Sequence, residues 1–386
     1  IMKLYNHVAF KMGQHEAEMA SHIPEGGNWK DIPLSITDTR LEGIRATGGR
    51  TTYYGRLRWD KPSYTIATYF NRVGNGCNLH PSQNRVMSTR EAARLQSFPD
   101  SFRFIGSKAS IYKQIGNAVP PLLARYISSL VKPYLTSYNF VDLFAGCGGL
   151  SEGFIENGFN LLAVNEFDKN IMSTNKLNHS KYTSEENFIL GDVRKQEVKD
   201  KIIQACKGKQ VDVILGGPPC QGFSYAGWRD PNDTRNQLFK EFVSLVSTIQ
   251  PYIFVMENVL GILTMRGGDA IKEIVQAFAD VGYHVNTPFK VNAACYGVPQ
   301  RRKRVIIIGC KDNITFSQDP LFSEDDMFLP NPVTVREAIG NLPSIEAGGG
   351  AEEIDWNPPS MYLYDKLMQK QITFEEFYEK KKNGEI

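Results

Sequence analysis

The segment "FVDLFAGCGGLSEGF", residues 140–154, reads as an apolar strand, a glycine-rich loop and the start of a helix. Gly146, Gly148 and Gly149 would let a ligand approach the backbone, and the N-terminus of the following helix offers free N–H groups. A glycine loop alone is weak evidence, since dinucleotide-binding proteins carry similar loops. The loop predicts a nucleotide-like ligand. An adenosine ligand fits, and the loop alone does not exclude NAD.

Working outward, further apolar runs alternate with helical segments along residues 139–309. The predicted strands are "NLLAVNEFD" (160–168), "FILGDV" (188–193), "VDVILGG" (211–217), "YIFVMENV" (252–259) and a late "RVIIIGC" (304–310). Strands that alternate with helices predict an α/β fold with a Rossmann-like parallel sheet covered on both faces. Ligands of such sheets bind at the carboxyl ends of the strands.

Length and composition narrow the number of domains, the location of the protein and the kinds of site it can contain. A chain of 386 residues favours two domains, and its loop-rich flanks predict a second, smaller domain. No apolar run is long enough to span a membrane and no export signal is visible, so we expect a cytoplasmic protein. The six cysteines lack CxxC or zinc spacing, which predicts free thiols and no metal site.

Charge is uneven along the chain. Residues 40–125 contain fourteen Lys or Arg against four Asp or Glu, interleaved with aromatic side chains. A solvated basic face is one interpretation of this stretch, and a surface that faces nucleic-acid phosphates is the other.

Cys220 follows an apolar strand and two prolines in "VDVILGGPPCQGFS", residues 211–224. A cysteine that only fills a core would more often lie inside the apolar run. Because Pro218 and Pro219 restrict the backbone at the strand end, the position favours a nucleophile in the ligand cleft.

Other polar residues end neighbouring strands. Glu166 could accept hydrogen bonds from a ribose, and Asp192 from an exocyclic amine. Glu257 and Asn258 end the strand after Cys220, where a carboxylate in a cleft can act as an acid. Arg302 and Arg304 stand two apart, which predicts that they share one face of an entering strand. They are either a solvated basic run or a pair of cations that bind phosphate or a base oxygen.

Six segments together resemble the motifs of DNA (cytosine-5)-methyltransferases of the bacterial modification type. They are "FVDLFAGCGGLSEGF", "GGPPCQGFS", "ENV", "QRRKRV", "STREAARLQSFPDSF" and "QIGNAVPPLLARYI". The blocks "STREAARLQSFPDSF" and "QIGNAVPP" usually close the chain in this family, whereas here they come first, at 88–102 and 114–121. The order looks circularly permuted. The resemblance implies domains at 1–105 and 313–386, the two halves of a target-recognition region, around a catalytic domain at 106–312.

The resemblance also implies a mechanism and its residues. Cys220 would add to C6 of a flipped-out cytosine in double-stranded DNA, Glu257 would hold or protonate N3, and Asn258 would position the loop. Arg302 and Arg304 would hold the base oxygen and the catalytic loop, and "QGFSYAGWRDPNDTRNQ", residues 221–237, would close as a lid. S-adenosylmethionine would contact Phe144, Ala145, Gly146, Cys147, Gly148, Gly149, Glu166, Phe167, Asp192, Val193, Pro219, Leu238, Asn117 and Ala118.

The resemblance also implies a monomer that acts in a prokaryotic restriction-modification system, with a cognate endonuclease as its functional partner. Three alternatives remain: a transfer-RNA cytosine-5 methyltransferase, a catalytically silent DNA-binding relative, and a NAD-dependent oxidoreductase. The intact set of Cys220, Glu257 and Arg302 argues against the silent relative, and an oxidoreductase explains the glycine loop but not Cys220 with Glu257.

Overall fold

The computed structural model describes residues 2–219, 234–358 and 361–386. Its strands, in chain order, are β1 (Met2–Val8), β2 (Gly55–Arg56), β3 (Ser63–Tyr64), β4 (Cys77–Leu79), β5 (Asn139–Leu143), β6 (Asn160–Glu166), β7 (Phe188–Leu190), β8 (Val213–Gly216), β9 (Ile253–Asn258), β10 (His284–Val285), β11 (Phe289–Asn292), β12 (Gln300–Arg301), β13 (Lys303–Cys310) and β14 (Gly350–Trp356).

The α-helices are α1 (Gln14–Ser21), α2 (Thr39–Thr47), α3 (Thr89–Leu95), α4 (Lys108–Asn117), α5 (Pro121–Val131), α6 (Gly149–Glu156), α7 (Lys169–His179), α8 (Gln196–Cys206), α9 (Thr234–Ile249), α10 (Asp269–Asp280), α11 (Val335–Ile339), α12 (Leu363–Met368) and α13 (Phe374–Lys382). Within the described residues, no helix is both long enough and apolar enough to cross a bilayer.

The chain divides into two compact units. The first comprises residues 1–118, 293–302 and 320–386, and the second comprises residues 119–292 and 303–319. Residues 106–118 and 293–302, placed in the catalytic domain at the sequence level, therefore belong to the first unit. The functional assignment of the domains stays a prediction.

An eight-stranded sheet forms the centre of the second unit. Its strand order is β10-β13-β9-β8-β5-β6-β7, with β11 also paired to β13. The strands from β9 to β7 are parallel, which confirms the predicted α/β fold with a Rossmann-like sheet. The chain reverses side between β7 and β8, so the carboxyl ends of β5 and β8 flank the switch point where such sheets bind ligands.

The late strand β13 departs from the parallel expectation. It runs antiparallel to β9 and to β11. The reason is the connection: β11 and β13 are separated by residues 293–302 and no crossover helix, and an antiparallel pairing needs none. As a result, the beginning of β13 lies beside the carboxyl end of β9.

The apolar runs that predicted the strands form the core of the second unit. Val141, Ile214 and Phe254 on β5, β8 and β9 are fully buried, and helices α8, α9 and α10 contribute residues to the same cluster. The ring of Phe254 stacks on Phe278 of α10 with centroids 3.7 Å apart. Strands buried on both faces read as continuous apolar runs, which is why they were predictable.

In the first unit, β1 pairs antiparallel with β14 along its length, from Met2 opposite Trp356 to Val8 opposite Gly350. The fully buried Arg94 of α3 donates to Asp100 at 2.7 Å and to Asp365 at 2.5 Å. Segments from both flanks of the sequence therefore belong to one folded unit.

Candidate functional site

The glycine loop after β5 has an unusual backbone. Phe144, Gly146 and Gly148 have positive φ angles of 54°, 58° and 98°. The left-handed region costs a non-glycine residue of order 1 kcal/mol or more, so the strain at Phe144 accompanies the tight exit from the strand. A Cβ atom on Gly146 would meet nothing within 4 Å, whereas one on Gly148 would lie 2.4 Å from Cε1 of His179. The loop therefore has open space on the side of Gly146 and a packed side chain against Gly148.

Glu166 closes β6 and binds this loop. Its Oε2 accepts the N–H of Gly146 at 2.9 Å, and its Oε1 accepts those of Phe167 and Asp168 at 2.8 and 2.9 Å. Burial raises the pKa of Glu166 above its ordinary value, although the three N–H donors favour its ionised form. Each carboxylate oxygen can accept two hydrogen bonds, so Oε2 retains one site for a ribose hydroxyl.

Asp192, two residues after β7, is held by a neighbour. The Nε atom of Arg194 lies 2.9 Å from both carboxylate oxygens, the Arg194 backbone N–H lies 3.0 Å from Oδ1, and Arg194 Nη2 lies 2.5 Å from Oδ2, so each oxygen already accepts two bonds. Hydrogen bonds from Arg194 hold the pKa of Asp192 below its ordinary value. To accept an exocyclic amine, Asp192 has to give up one of these bonds, which the sequence did not indicate.

The other predicted cofactor residues differ in exposure. Phe167 is 72% exposed next to Glu166 and presents an aromatic face, whereas Ala145, Cys147 and Val193 are buried. Burial raises the pKa of the Cys147 thiol far above its ordinary value, which makes it a poor nucleophile. Pro219 is exposed and Leu238 packs against the core of the second unit. Asn117 ends α4 and Ala118 follows it, both in the first unit.

Glu257 and Arg304 meet at the junction of β9 and β13. Arg304 Nε lies 2.8 Å from Glu257 Oε1, and each side chain is 14% exposed. A Cβ atom on Gly217 would lie 3.3 Å from Glu257 Oε2, so the carboxylate also lies over the segment that leaves β8. The pair therefore lies near Gly217, which is three residues before Cys220 along the chain.

Asn258 connects the ends of the two central strands. Its Nδ2 donates to the Pro218 carbonyl at 3.2 Å, and its Oδ1 accepts the N–H of Val259 at 2.9 Å. The side chain is buried. It therefore restrains the Pro218–Pro219 segment directly before Cys220.

Arg302 does not share a strand face with Arg304, and that prediction was wrong. Residue 302 lies between β12 and β13 and belongs to the first unit, whereas Arg304 belongs to the second. The Arg302 side chain is buried and donates to the carbonyls of Ile66 at 3.1 Å and Gly116 at 2.8 Å. The strand pairing is interrupted at residue 302, where the Arg302 N–H bonds to the Gln300 carbonyl at 3.0 Å, so the two-residue periodicity on which the prediction depended does not apply.

Cys220 and residues 221–233 of the predicted lid lie outside the described residues, so their predicted roles stay predictions.

Sequence reasoning missed a set of buried polar residues beneath the glycine loop. Ser151 Oγ donates to Asp142 Oδ2 at 2.6 Å, and burial raises the pKa of Asp142 to about 6. Glu152, Asn175 and His179 form a second chain of hydrogen bonds there. An acid inside the apolar run "FVDLF" was the available signal, because such a residue needs a buried partner.

Together, the described residues provide four features of a ligand site. They are the open space at Gly146, the hydrogen-bond acceptor Glu166, the exposed ring of Phe167, and the ion pair of Glu257 with Arg304. Comparison with known proteins agrees with this arrangement. The family described as C-5 cytosine-specific DNA methylase matches residues 3–132 and 138–384. The chain belongs to this family.

Curated relatives are type II methyltransferases. The chain is 40% identical to M.DdeI of Desulfomicrobium norvegicum over 238 residues, covering 61% of this chain and 55% of that protein. It is 37% identical to M.XorII of Xanthomonas oryzae pv. oryzae over 217 residues, covering 56% and 49%. It is 39% identical to M1.HphI of Haemophilus parahaemolyticus over 222 residues, covering 56% and 55%. The chain thus spans about half the length of the curated relatives it matches.

Proposed function

We propose that this chain is a DNA cytosine-5 methyltransferase that methylates C5 of a flipped-out cytosine in double-stranded DNA. The observation that carries the proposal is the Glu257–Arg304 pair at the end of β9, over the segment that leads to Cys220. The glycine loop alone would also suit a NAD-dependent oxidoreductase, so the loop does not carry the proposal. Family membership supports the same conclusion.

The residues present fit S-adenosylmethionine. The open space at Gly146 admits a ligand to the backbone, Glu166 retains an acceptor site for a ribose, and Phe167 offers a face for an adenine. When bound, S-adenosylmethionine supplies an electrophilic methyl group. Glu166 and the loop would hold the adenosine part, and Asp192 would take the exocyclic amine after exchange with Arg194.

The protein's own chemistry is covalent catalysis. The Cys220 thiolate adds to C6, forming an S–C bond, and the electron pair displaced from the C5–C6 double bond makes C5 nucleophilic. Glu257 stabilises the charge that reaches N3 by sharing a proton with it, while Arg304 holds the carboxylate in place. After C5 has gained its methyl group, loss of the C5 proton and release of the thiolate restore the aromatic ring.

The target carbon is stacked inside a duplex, so the cytosine has to leave the helix to reach these groups. The basic residues between 40 and 125 would contact DNA phosphates and make the affinity depend on salt. The guanidinium of Arg302 donates to two backbone carbonyls, so Arg302 would act by holding the backbone in place. We also propose that Arg302 contacts the base directly.

We also propose that the family's motif order is circularly permuted in this chain. The family match falls into two segments separated at 133–137, between the "QIGNAVPP" motif, which usually closes the chain, and the glycine-rich loop, which usually opens it. Helix α5 before the junction and strand β5 after it belong to the same unit. A colinear alignment covers only motifs that keep their order, which accounts for relatives matching over about half their length. A cytoplasmic monomer beside a cognate restriction endonuclease in a prokaryotic cell completes the proposal.

The test is methylation of duplex DNA and of transfer RNA by the pure protein, with bisulfite mapping of the products. We expect 5-methylcytosine at a fixed DNA sequence and none in RNA; the opposite preference would replace the proposed substrate. Cys220→Ser should abolish methyl transfer and the covalent adduct with DNA containing 5-fluorocytosine, while DNA binding remains. An active Cys220→Ser protein would refute the nucleophile, and a wild type that binds DNA without either activity would indicate a silent relative.

A further inference from the structure

A chain of buried polar side chains supports the glycine loop from below. Asn175 Nδ2 donates to the Gly146 carbonyl at 3.1 Å, Asn175 Oδ1 lies 2.9 Å from His179 Nδ1, and His179 Nε2 lies 3.0 Å from Glu152 Oε2. Asn175 and His179 are fully buried, and Glu152 is nearly so. The chain therefore runs from α6 through α7 to the loop.

The Gly146 carbonyl, at one end of this series of hydrogen bonds, determines which atoms carry the protons. The Gly146 carbonyl can only accept, so the Asn175 nitrogen faces it and the Asn175 oxygen faces His179. His179 Nδ1 consequently carries a proton. Its Nε2 faces a carboxylate, and a buried contact at 3.0 Å requires a second proton between these two atoms. His179 and Glu152 thus hold a proton between them, either as an imidazolium with a carboxylate or as two neutral groups.

The imidazole also packs directly against the loop. Because a Cβ atom on Gly148 would lie 2.4 Å from Cε1 and 2.9 Å from Nδ1 of His179, the glycine is required there. On the other side of the loop, Gly146 donates its N–H to Glu166. Gly146 is thus held at both ends, by Asn175 through its carbonyl and by Glu166 through its N–H.

We propose that His179 is a positioning residue of the S-adenosylmethionine site, which fixes Gly146 through Asn175 and is itself held by Glu152. The inference rests on the proposed function, since it concerns the same cofactor loop. With His179 in place, the Gly146 peptide and the Glu166 carboxylate are oriented before the cofactor arrives, which lowers the ordering cost of binding. Without it, the Gly146 carbonyl loses a fixed donor and the loop can turn.

Other charged groups surround this chain and belong to its environment. The charge of His179 acts to lower the pKa of Asp142 on β5, and the charge of Glu166 on β6 acts to raise it. Two acids therefore share the cluster with the Glu152–His179 pair. All variants are therefore compared at one pH, 7.5, so that a change in the protonation of these acids with pH does not contribute to the differences in affinity.

The experiment measures S-adenosylmethionine affinity by calorimetry for the full chain. A wild type without measurable affinity would contradict the proposed function, independently of the variants. Given wild-type binding, His179→Ala and Asn175→Ala should each weaken it roughly ten- to hundredfold, as loss of a buried hydrogen-bond partner implies. The double variant should be no weaker than either single one, since the two residues act in series.

Further variants separate positioning from general stability. Asn175→Asp keeps the volume but places an oxygen against the Gly146 carbonyl, so it should weaken binding as much as Asn175→Ala. Glu152→Gln can donate to a neutral His179 Nε2 and should retain affinity, whereas Glu152→Ala should lose it. KM for the cofactor should rise while KM for DNA stays unchanged. His284→Ala, an exposed histidine on β10, is the matched control.

Folded variants of His179 or Asn175 with wild-type affinity would overturn the proposal. So would full additivity in the double variant, or a Glu152→Gln protein that behaves like Glu152→Ala. Should His179→Ala fail to fold, the Asn175→Asp and Glu152→Gln proteins carry the test.

Discussion

Arg304 on β13 forms a 2.8 Å ion pair with Glu257 on β9, and the pair exists because the two strands are antiparallel. In a fully parallel sheet the beginning of β13 would lie at the opposite edge from the end of β9. The antiparallel pairing thus brings a cation to the carboxylate that closes the central strand. Both groups are mostly buried, so their attraction is only weakly screened by salt.

The first prediction concerns this carboxylate. Glu257→Gln should slow methyl transfer by a factor of roughly 10²–10⁴, because the amide cannot share a proton with N3. The measurement is single-turnover transfer of labelled methyl groups to duplex DNA. Asp280→Asn, which changes an exposed acid on α10, should leave the rate unchanged. A Glu257→Gln enzyme within threefold of wild type would remove Glu257 from the mechanism.

Two glycines of the loop should respond differently to alanine. Gly146→Ala adds a Cβ atom where the protein has open space, so it should cost only about 1 kcal/mol of stability from its positive φ but exclude the cofactor. Gly148→Ala forces a clash with His179 and should destabilise the fold itself. Urea unfolding and cofactor calorimetry on both variants measure the contrast. Equal losses of stability would contradict the assignment of ligand space to Gly146.

Asp142 should make stability depend on pH. Burial raises its pKa from 3.8 to about 6, so its protonated form stabilises the folded state. This contribution is fully present below the unfolded pKa and is lost as pH rises through about 6. At about 1.36 kcal/mol for each pKa unit, the loss amounts to about 3 kcal/mol.

The matched variant is Asp142→Asn, which cannot titrate. The difference in unfolding free energy between wild type and variant should therefore change by about 2 kcal/mol between pH 4 and pH 8, in favour of the variant at pH 8, because the unfolded carboxyl is already partly ionised at pH 4. Any constant offset from placing an amide beside Ser151 cancels in this comparison. Urea titrations at several pH values provide the data, and a pH-independent difference would show that Asp142 stays in one form.

Asn258 should affect the rate more than cofactor binding. Asn258→Ala removes the bond to the Pro218 carbonyl and should cost about 1 kcal/mol of stability. Because this bond restrains the segment before Cys220, the single-turnover rate should fall at least tenfold while the cofactor Kd stays within twofold. Asn258→Asp, which cannot donate, should behave in the same way. A loss confined to cofactor affinity would argue for a different role.

The sequence predicts those parts of the structure that depend on local pattern. The parallel strands are apolar runs, and their ends are marked by glycine or by acids such as Glu166 and Glu257, so both the sheet and the edge that carries the site were predictable. Arg302 shows the limit of this reasoning. A period of two holds only inside a continuous strand, and a break at one residue separates Arg302 from Arg304.

Contacts between distant segments could not be predicted. The bond from Asn175 to Gly146 joins residues of different elements, and nothing in the pattern of α7 distinguishes a buried asparagine or histidine from an exposed one. The strands β2, β3 and β12 have two residues each, too few for any periodicity to appear. The pairing of β1 with β14 spans nearly the whole chain and depends on the completed fold.

That pairing has a consequence for synthesis. β1 leaves the ribosome about 350 residues before its partner β14 does, which at ordinary translation speeds amounts to roughly 15–70 s. During this interval the residues of the second unit can fold, while the backbone N–H and C=O groups of β1 wait for their partners on β14. The β1–β14 pair therefore closes only after all residues of the second unit have been synthesised.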